Sequence, residues 1–557
     1  MWKTGDEDGL LGKSVLEMIT FAKKYKRALI GSLLFSFVCF GFMLTHFTLC
    51  IDDETWILAS EPSALWILQG RFAIWLFDLI FTCNGNFAPF LWDFLAIIGW
   101  NISGMIFAYA LLEEPKERQV FFFCAYYSSL PFAVGEIMAF SMFNLQVSIA
   151  MTATAVSFVL SRRFLKQRRK KDAVCAMICL LYGVATFQAM ICVYVTAVAA
   201  ECLLHYLSVC RSLGQDAMYA DRQALPHETK MGTGDPAERA ENSALCSLKC
   251  TILTCAAICV MAVAVYYVIN VILGHLVGSA GYLGDNYNGW ASGDWKLAAA
   301  MAIANIGRVS FAIPFQGEYI YGGSVIRALS ILFVICAVYL FVRQKGWKKK
   351  AGILFYTVAL CVAPFVLYLA LATYKTHGRM LLALPLTGAV QMYVITRTIT
   401  KPLLKKAMVV LGGYLLFLNA RNMNLIYYYS SIAYEKDCTT AGQIMYDIQA
   451  AGMDYREKPV AFIGMIARDE LPVLESCTLG GSFFAWDDGN NSRMCDFLQT
   501  RGYAVQQADG QQIAAALERT KTMNTWPQEG SIAELKDVIV VYLSEPTEKW
   551  YAVNVGA

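Results

Sequence analysis

Three carboxylates stand in a row at Asp52, Asp53 and Glu54, in the stretch IDDETW that directly follows an apolar run. Charged groups are costly in hydrocarbon, so this triplet belongs at the aqueous edge of a membrane span. Adjacent like charges raise the pKa of one member toward the range where a carboxylate can take a proton from a hydroxyl. A sugar alcohol at a membrane surface suits such a pair; a solvated helix end is the plainer reading. Other polar residues fall on the same predicted side: Glu136 in PFAVGEIMAF, Gln146, Gln188, Arg308, and Lys375, His377 and Arg379 in TYKTHGRM. Each alone reads as a surface or headgroup residue. Together they place an acidic base opposite a cationic patch, an arrangement that activates a hydroxyl and stabilises a departing phosphate. The planar fork of Arg matches phosphate oxygens, which suits Arg379 to that second task.

The elements that must position these groups are membrane helices. Of 557 residues, 57% are hydrophobic and only 16% charged, far below the quarter usual in soluble domains. Apolar stretches long enough to span lie near 28–49, 89–112, 119–141, 146–161, 173–187, 189–208, 251–273, 325–342, 352–372, 380–397 and 407–429. About eleven helices are therefore expected in a polytopic α-helical bundle. The basic clusters at Lys23–Arg27, Arg162–Lys171, Arg343–Lys350 and Arg397–Lys406 fall on one side if the spans alternate. The positive-inside rule makes that side cytoplasmic, with residues 1–27 inside and everything after the last span outside. Acidic residues before the first span and no small-residue cleavage pattern after it predict a retained first helix. A net charge of +3 gives no reason to expect a nucleic-acid partner.

Between spans, residues 209–249 mix Pro, Gly and charge and read as a flexible cytoplasmic loop. Their GTGDPA has no preceding strand and is no dinucleotide fingerprint. In the long outer loop 50–88, Leu65 to Leu79 recur near helical spacing, and in the second, 274–324, WKLAAAMAIANI is apolar; both predict interfacial or re-entrant helices. From about residue 430 the composition becomes ordinary. KPVAFIGMI and KDVIVVYL read as strands, SRMCDFLQTRGY and QQIAAALERTK as helices, which makes residues 430–557 a small extracytoplasmic α/β domain. Within it Trp486, Asp487 and Asp488 can bind acceptor glycan or merely cap structure. Most of the eighteen cysteines sit in apolar runs, with no CxxC pair and no metal or redox motif; Cys438, Cys477 and Cys495 can pair if the tail is outside.

The double acidic motif after the first helix, the WILQGRF segment in the first outer loop, a basic residue in a late outer loop and the tail stretch GGSFFAWDDGNNSRMCDFLQTRGY resemble the GT-C membrane glycosyltransferases. The resemblance is closer to the bacterial Gtr-type glucosyltransferases that modify O-antigen and related surface glycans. It implies a GT-C-like catalytic region over 28–429 in the bacterial plasma membrane. It further implies transfer of one sugar, glucose by the nearest family, from a polyprenyl-phosphate carrier to a hydroxyl of a glycan or lipid-linked glycan on the outer face. Carried over, Asp52 or Asp53 is the general base, with Asp53 slightly favoured. Arg379 holds the carrier phosphate with Lys375 or His377, and Arg71 and Gln188 orient sugar or phosphate. Arg and Lys alone can neutralise one phosphate, so no cofactor is required, although the adjacent acids can hold a divalent cation. A lipid-linked glycan flippase or transporter is the rival from another class, but no internal repeat is visible and the charges cluster at one edge. An oligosaccharide ligase or polymerase shares the same lipid-phosphate logic.

Overall fold

Each predicted span coincides with helix in the computed structural model, which describes residues 8–81, 88–223, 236–278, 288–291, 293–313, 320–373, 377–467 and 479–555. Among these residues eight helices are long and apolar enough to cross a membrane, from Lys26–Thr45 to Pro402–Ala450. A ninth is counted if Glu117–Tyr127 and Pro131–Met138, bent by 43°, form one span. The expected eleven is therefore not confirmed. Lys170–Thr186 has 17 residues and Leu384–Thr398 has 15, or about 25 and 23 Å of helix against a hydrocarbon core of about 30 Å. Every residue from Leu384 to Ile395 is buried, so that helix is walled by protein and has no lipid-facing stripe to match to the bilayer. The longer helices do carry one: Leu34, Val38, Leu253, Val260, Phe355 and Val410 are all exposed.

The bend has a local cause. Pro131 lacks an N–H and opens a π-helical turn, Pro131–Gly135, where the regular hydrogen-bond ladder cannot continue. The chain therefore swings round and presents Glu136 at the end of the bundle.

The two ends of the bundle differ. At one, side chains tie chain reversals together: Tyr25 Oη donates to Pro115 O (2.8 Å), Tyr393 Oη to Glu113 O (3.2 Å) and Tyr206 Oη to Lys348 O (3.4 Å), while Arg163 pairs with Asp172 (3.2 Å). This is the end where the basic clusters lie. The other carries the C-terminal domain. The helix Pro402–Ala450 joins them without a break, 49 residues or about 73 Å long, and so passes straight through the boundary expected at 430. Its last turns are core: Tyr434, Ala441, Ile444, Met445 and Ile448 pack against Phe462, Phe483, Met494, Phe497 and Leu498.

The domain has the predicted strands and helices plus one short strand and a C-terminal helix, Glu548–Asn554, that were not anticipated. β1 (Val460–Ile463) pairs in parallel with β3 (Ile539–Tyr542), and β2 (Ile532–Glu534) pairs antiparallel on the other side of β3. Asn491–Thr500 and Gly510–Thr520 are the predicted helices, each capped by a side chain, Asn490 and Asp509 respectively.

Two loop expectations change. The polar stretch 209–249 is largely helical, since Met190–Gln223 and Pro236–Val277 run far into it and leave only 224–235 outside the described residues. The segment expected to be interfacial, in the first long loop, is two helices, Leu65–Leu68 and Phe72–Phe81, broken at Gly70 with φ +72°. The apolar run of the second long loop forms the helix Trp295–Ser310.

Candidate active site

The acidic triplet opens a six-residue helix, Asp53–Leu58, at the domain end of the bundle. Three adjacent residues point their carboxylates to three different surroundings. Asp53 is fully buried, and its two oxygens accept backbone N–H bonds from Cys50 (2.9 Å) and Met142 (3.1 Å). Burial holds its carboxyl well above the usual range, against the pull of those amides. Asp53 thus ties the end of the first span to the turn after the bent pair. Glu54 is also buried; burial pushes it up to about 7, and Arg493 of the C-terminal domain, which donates to Oε1, pulls the other way. Asp52 adopts φ +78° as the residue before the helix, and it alone of the three lines a cavity of about 400 Å³.

Another part of the cavity wall is built by the helix pair broken at Gly70. Gln188 donates to Gln69 O (2.9 Å) and Tyr266 Oη donates to Gly70 O (3.0 Å), which fixes the left-handed turn at Gly70. A side chain at Gly70 would collide with Tyr266 Oη. The turn presents Arg71 to aromatic faces, its guanidinium 4.8 Å from the ring centre of Phe187, 5.8 Å from Phe143 and 5.9 Å from Trp66. Beneath lies Asp78, buried, accepting from the indole N–H groups of Trp56 (3.2 Å) and Trp66 (3.0 Å) and from Gln146 (3.2 Å). Two of the aromatic walls are therefore held at their polar edges by one carboxylate.

Arg379 enters from the short turn Gly378–Met380. Its Nη1 donates to Glu136 Oε1 (2.8 Å) and its backbone N–H to Glu136 Oε2 (3.2 Å), while the guanidinium lies 5.2 Å from the Phe140 ring centre. Glycine at 378 is a steric requirement, because an added Cβ would fall on Phe132 O and the Glu136 carboxylate.

Of the residues singled out in the sequence, Asp52, Arg71, Gln188 and Arg379 line one cavity. Glu136 and Gln146 support it without lining it. Glu54 turns to Arg493, His377 stands before the Gly378 turn, and Arg308 is buried in the Trp295–Ser310 helix away from the lining. Lys375 and Cys477 lie outside the described residues, and the described Cys438 and Cys495 are free thiols. Asp52 and Asp53 do not share a ligand set for a cation: one pairs with Arg493 and the other is engaged by two amides. Among the described residues no group of three or more His, Cys, Asp or Glu converges as metal ligands.

Sequence reasoning passed over two groups. Asp78 carried a signal, a lone carboxylate in the apolar run FDLIF. Arg493 carried none, since nothing local distinguishes it from other surface arginines. It donates to Asp52 Oδ1 (3.0 Å), to Glu54 and to Asp487 Oδ2 (2.7 Å), and beside it Thr55 donates to Asp496 (2.9 Å). Burial lowers the Arg493 pKa, but Glu54, Asp52 and Asp487 together raise it well above its usual value, so it stays charged. Of the tail residues marked for glycan binding, Asp487 belongs to this cluster and Asp488 faces Lys549 at 3.8 Å.

Residues 41–219 match the glucosyl transferase GtrII family. The matched segment holds Asp52, Arg71, Asp78, Glu136 and Gln188; Arg379 and Arg493 lie beyond it. No curated protein matches the chain. The family match supports glycosyltransferase activity, with a sugar donor and a glycan acceptor.

Proposed function

We propose that this protein moves a single sugar, glucose by its family, from a polyprenyl-phosphate carrier to a hydroxyl of a surface or lipid-linked glycan. In this reading the C-terminal domain and the cavity lie outside a bacterial plasma membrane, and the basic end of the bundle lies in the cytoplasm. The observation that carries the proposal is the single cavity shared by Asp52, Arg71 and Arg379. Asp52 takes the proton as the acceptor oxygen forms its bond to the anomeric carbon. The bond from that carbon to the phosphate oxygen breaks, and the electron pair leaves with the polyprenyl phosphate. Arg379 and Arg71 stabilise the charge that develops there. Direct displacement inverts the anomeric centre. The faces of Trp66, Phe143 and Phe187 suit the apolar face of a pyranose, and Gln188 suits a sugar hydroxyl. Asp53 holds the frame and is not assigned the proton.

The test is transfer by purified protein in liposomes from radiolabelled polyprenyl-phosphate glucose to a glycan extract of its own envelope, beside Asp52→Asn. Label reaching glycan with the native protein and not with the variant supports the reading. Label that instead crosses the bilayer without transfer identifies a flippase and removes it.

A further inference from the structure

Asp78 holds two tryptophans that line the cavity from different helices. Its Oδ2 accepts from Trp56 Nε1 in Asp53–Leu58 (3.2 Å) and from Trp66 Nε1 in Leu65–Leu68 (3.0 Å). Its Oδ1 accepts from Gln146 Nε2 (3.2 Å), which also donates to Met142 O (3.3 Å). The carboxylate itself is buried and stands behind the lining. A buried indole N–H needs an acceptor, and one carboxylate that serves two of them fixes both rings by their polar edges. The two rings serve different parts of the cavity. Trp66 lies in the wall with Arg71, whose guanidinium is 5.9 Å from its ring centre. Trp56 stands one helical turn after Asp52, its backbone N–H donating to Asp52 O (3.4 Å). Thr55, Ala59 and Ser63 continue this part of the lining, and it adjoins the C-terminal domain, where Thr55 donates to Asp496 and Arg493 to Asp52. Elsewhere the lining is Leu367, Leu371 and Arg379, apolar groups beside a cation, which suit a lipid-linked phosphate.

We infer that the acceptor is a pyranose that stacks its C–H face on Trp56 and so brings a hydroxyl to Asp52, with Asp78 as the positioning residue that sets this ring against the wall at Trp66. The inference rests on the transfer reaction proposed above and names its acceptor class. One anion behind two walls has a geometric use. Two bound substrates react fastest when both are held in near-attack geometry, and a displacement of about 1 Å costs on the order of 100-fold. A carboxylate only accepts, so both indoles and Gln146 can donate to it at once. An amide in its place would turn donors toward groups that already donate.

Transfer by the full-length protein in liposomes, with radiolabelled polyprenyl-phosphate glucose and the envelope glycan extract each varied in turn, provides the test. Trp56→Phe, which keeps a ring but not the N–H, is expected to raise KM for the extract roughly five- to twenty-fold and to leave KM for the donor within about two-fold. Asp78→Asn should raise KM for the extract similarly and also lower kcat, since both walls shift. The double variant should show no further rise in KM for the extract, because Asp78 reaches the acceptor through Trp56; a merely structural role would add the two effects. For native protein, at least one of the methyl pyranosides of glucose, galactose, mannose and rhamnose should compete with the extract better than ribitol, a polyol with no ring face. Thermal midpoints check folding, and Trp56→Phe with the competition assay carries the test if Asp78→Asn does not fold. An unchanged KM for the extract in Trp56→Phe, an equal rise in donor KM, fully additive effects, or no sugar competing better than ribitol overturns the inference while native transfer still stands. Absence of transfer by the native protein removes the transfer reading and this inference with it.

Discussion

Arg493, from a helix of the C-terminal domain, donates to Asp52 at the cavity 3.0 Å away, although 441 residues separate them in the chain. The same guanidinium contacts buried Glu54 and exposed Asp487. The side chain proposed to take the acceptor proton is therefore oriented by the C-terminal domain, and the two parts of the chain meet at Asp52.

Removing that link should have two separable effects. Arg493→Ala leaves Glu54 buried beside no cation, which costs about 3–5 kcal/mol, and frees Asp52 to rotate, which lowers transfer by roughly 10- to 100-fold. Arg493→Lys restores charge but not the fork that reaches Asp52, Glu54 and Asp487 together. It should recover thermal stability more than turnover. Full turnover in both variants would show that Asp52 needs no such support.

Asp52 and Asp53 are neighbours with different predicted phenotypes. Asp52→Asn should fold with a native thermal midpoint and lose transfer by roughly 10²- to 10⁴-fold. Asp53→Ala strands the Cys50 and Met142 amides and should destabilise by about 1–3 kcal/mol, measured by thermal unfolding in detergent. An active, well-folded Asp52→Asn would remove the base assignment.

Glu54 gives a pH dependence with a definite sign. Its carboxyl is raised in the folded protein to about 7 from an ordinary 4.5, so its contribution to stability is fully present below about 4.5 and is lost as pH rises toward 7. The span of that loss is at most about 3 kcal/mol. Glu54→Gln, which cannot titrate, should flatten this part of the stability profile between pH 4.5 and 7.5. An identical slope in the variant would place the titration elsewhere.

Gly378 tests how Arg379 is placed. Gly378→Ala pushes its turn off Phe132 O and Glu136, so it should weaken donor use nearly as much as Arg379→Ala, by roughly 10- to 100-fold in kcat/KM. Dependence on acceptor concentration should change little in either variant. A Gly378→Ala enzyme with native kinetics would show that the turn has room to move.

The helices, the acidic motif at the end of the first and the strands and helices of the tail are legible in the chain, because hydrophobic runs and their periodicity are local properties. So is the grouping of Asp52, Arg71, Gln188 and Arg379 on one predicted side, since alternation of spans sorts residues by end without any knowledge of packing. The count of eleven spans is not confirmed: among the described residues eight helices, or nine with the bent pair, are long and apolar enough to cross a membrane. Leu384–Thr398 has only 15 residues and is buried along nearly its whole length, and the bend at Pro131 makes two helices of one apolar run.

By itself, the sequence determined a series of helices long and apolar enough to cross a membrane, a run of carboxylates after the first of them and a small α/β tail. The tertiary structure alone decided which carboxylate meets the cavity. Asp52 and Asp53 are chemically the same and differ by one position. Their roles separate because the backbone turns through φ +78° at Asp52, while two amides, one of them 89 residues away, enclose Asp53. Arg493 became part of the site for the same reason: a 49-residue helix carries its domain back over the first span, and contacts between residues so distant in the chain leave no trace in local spacing.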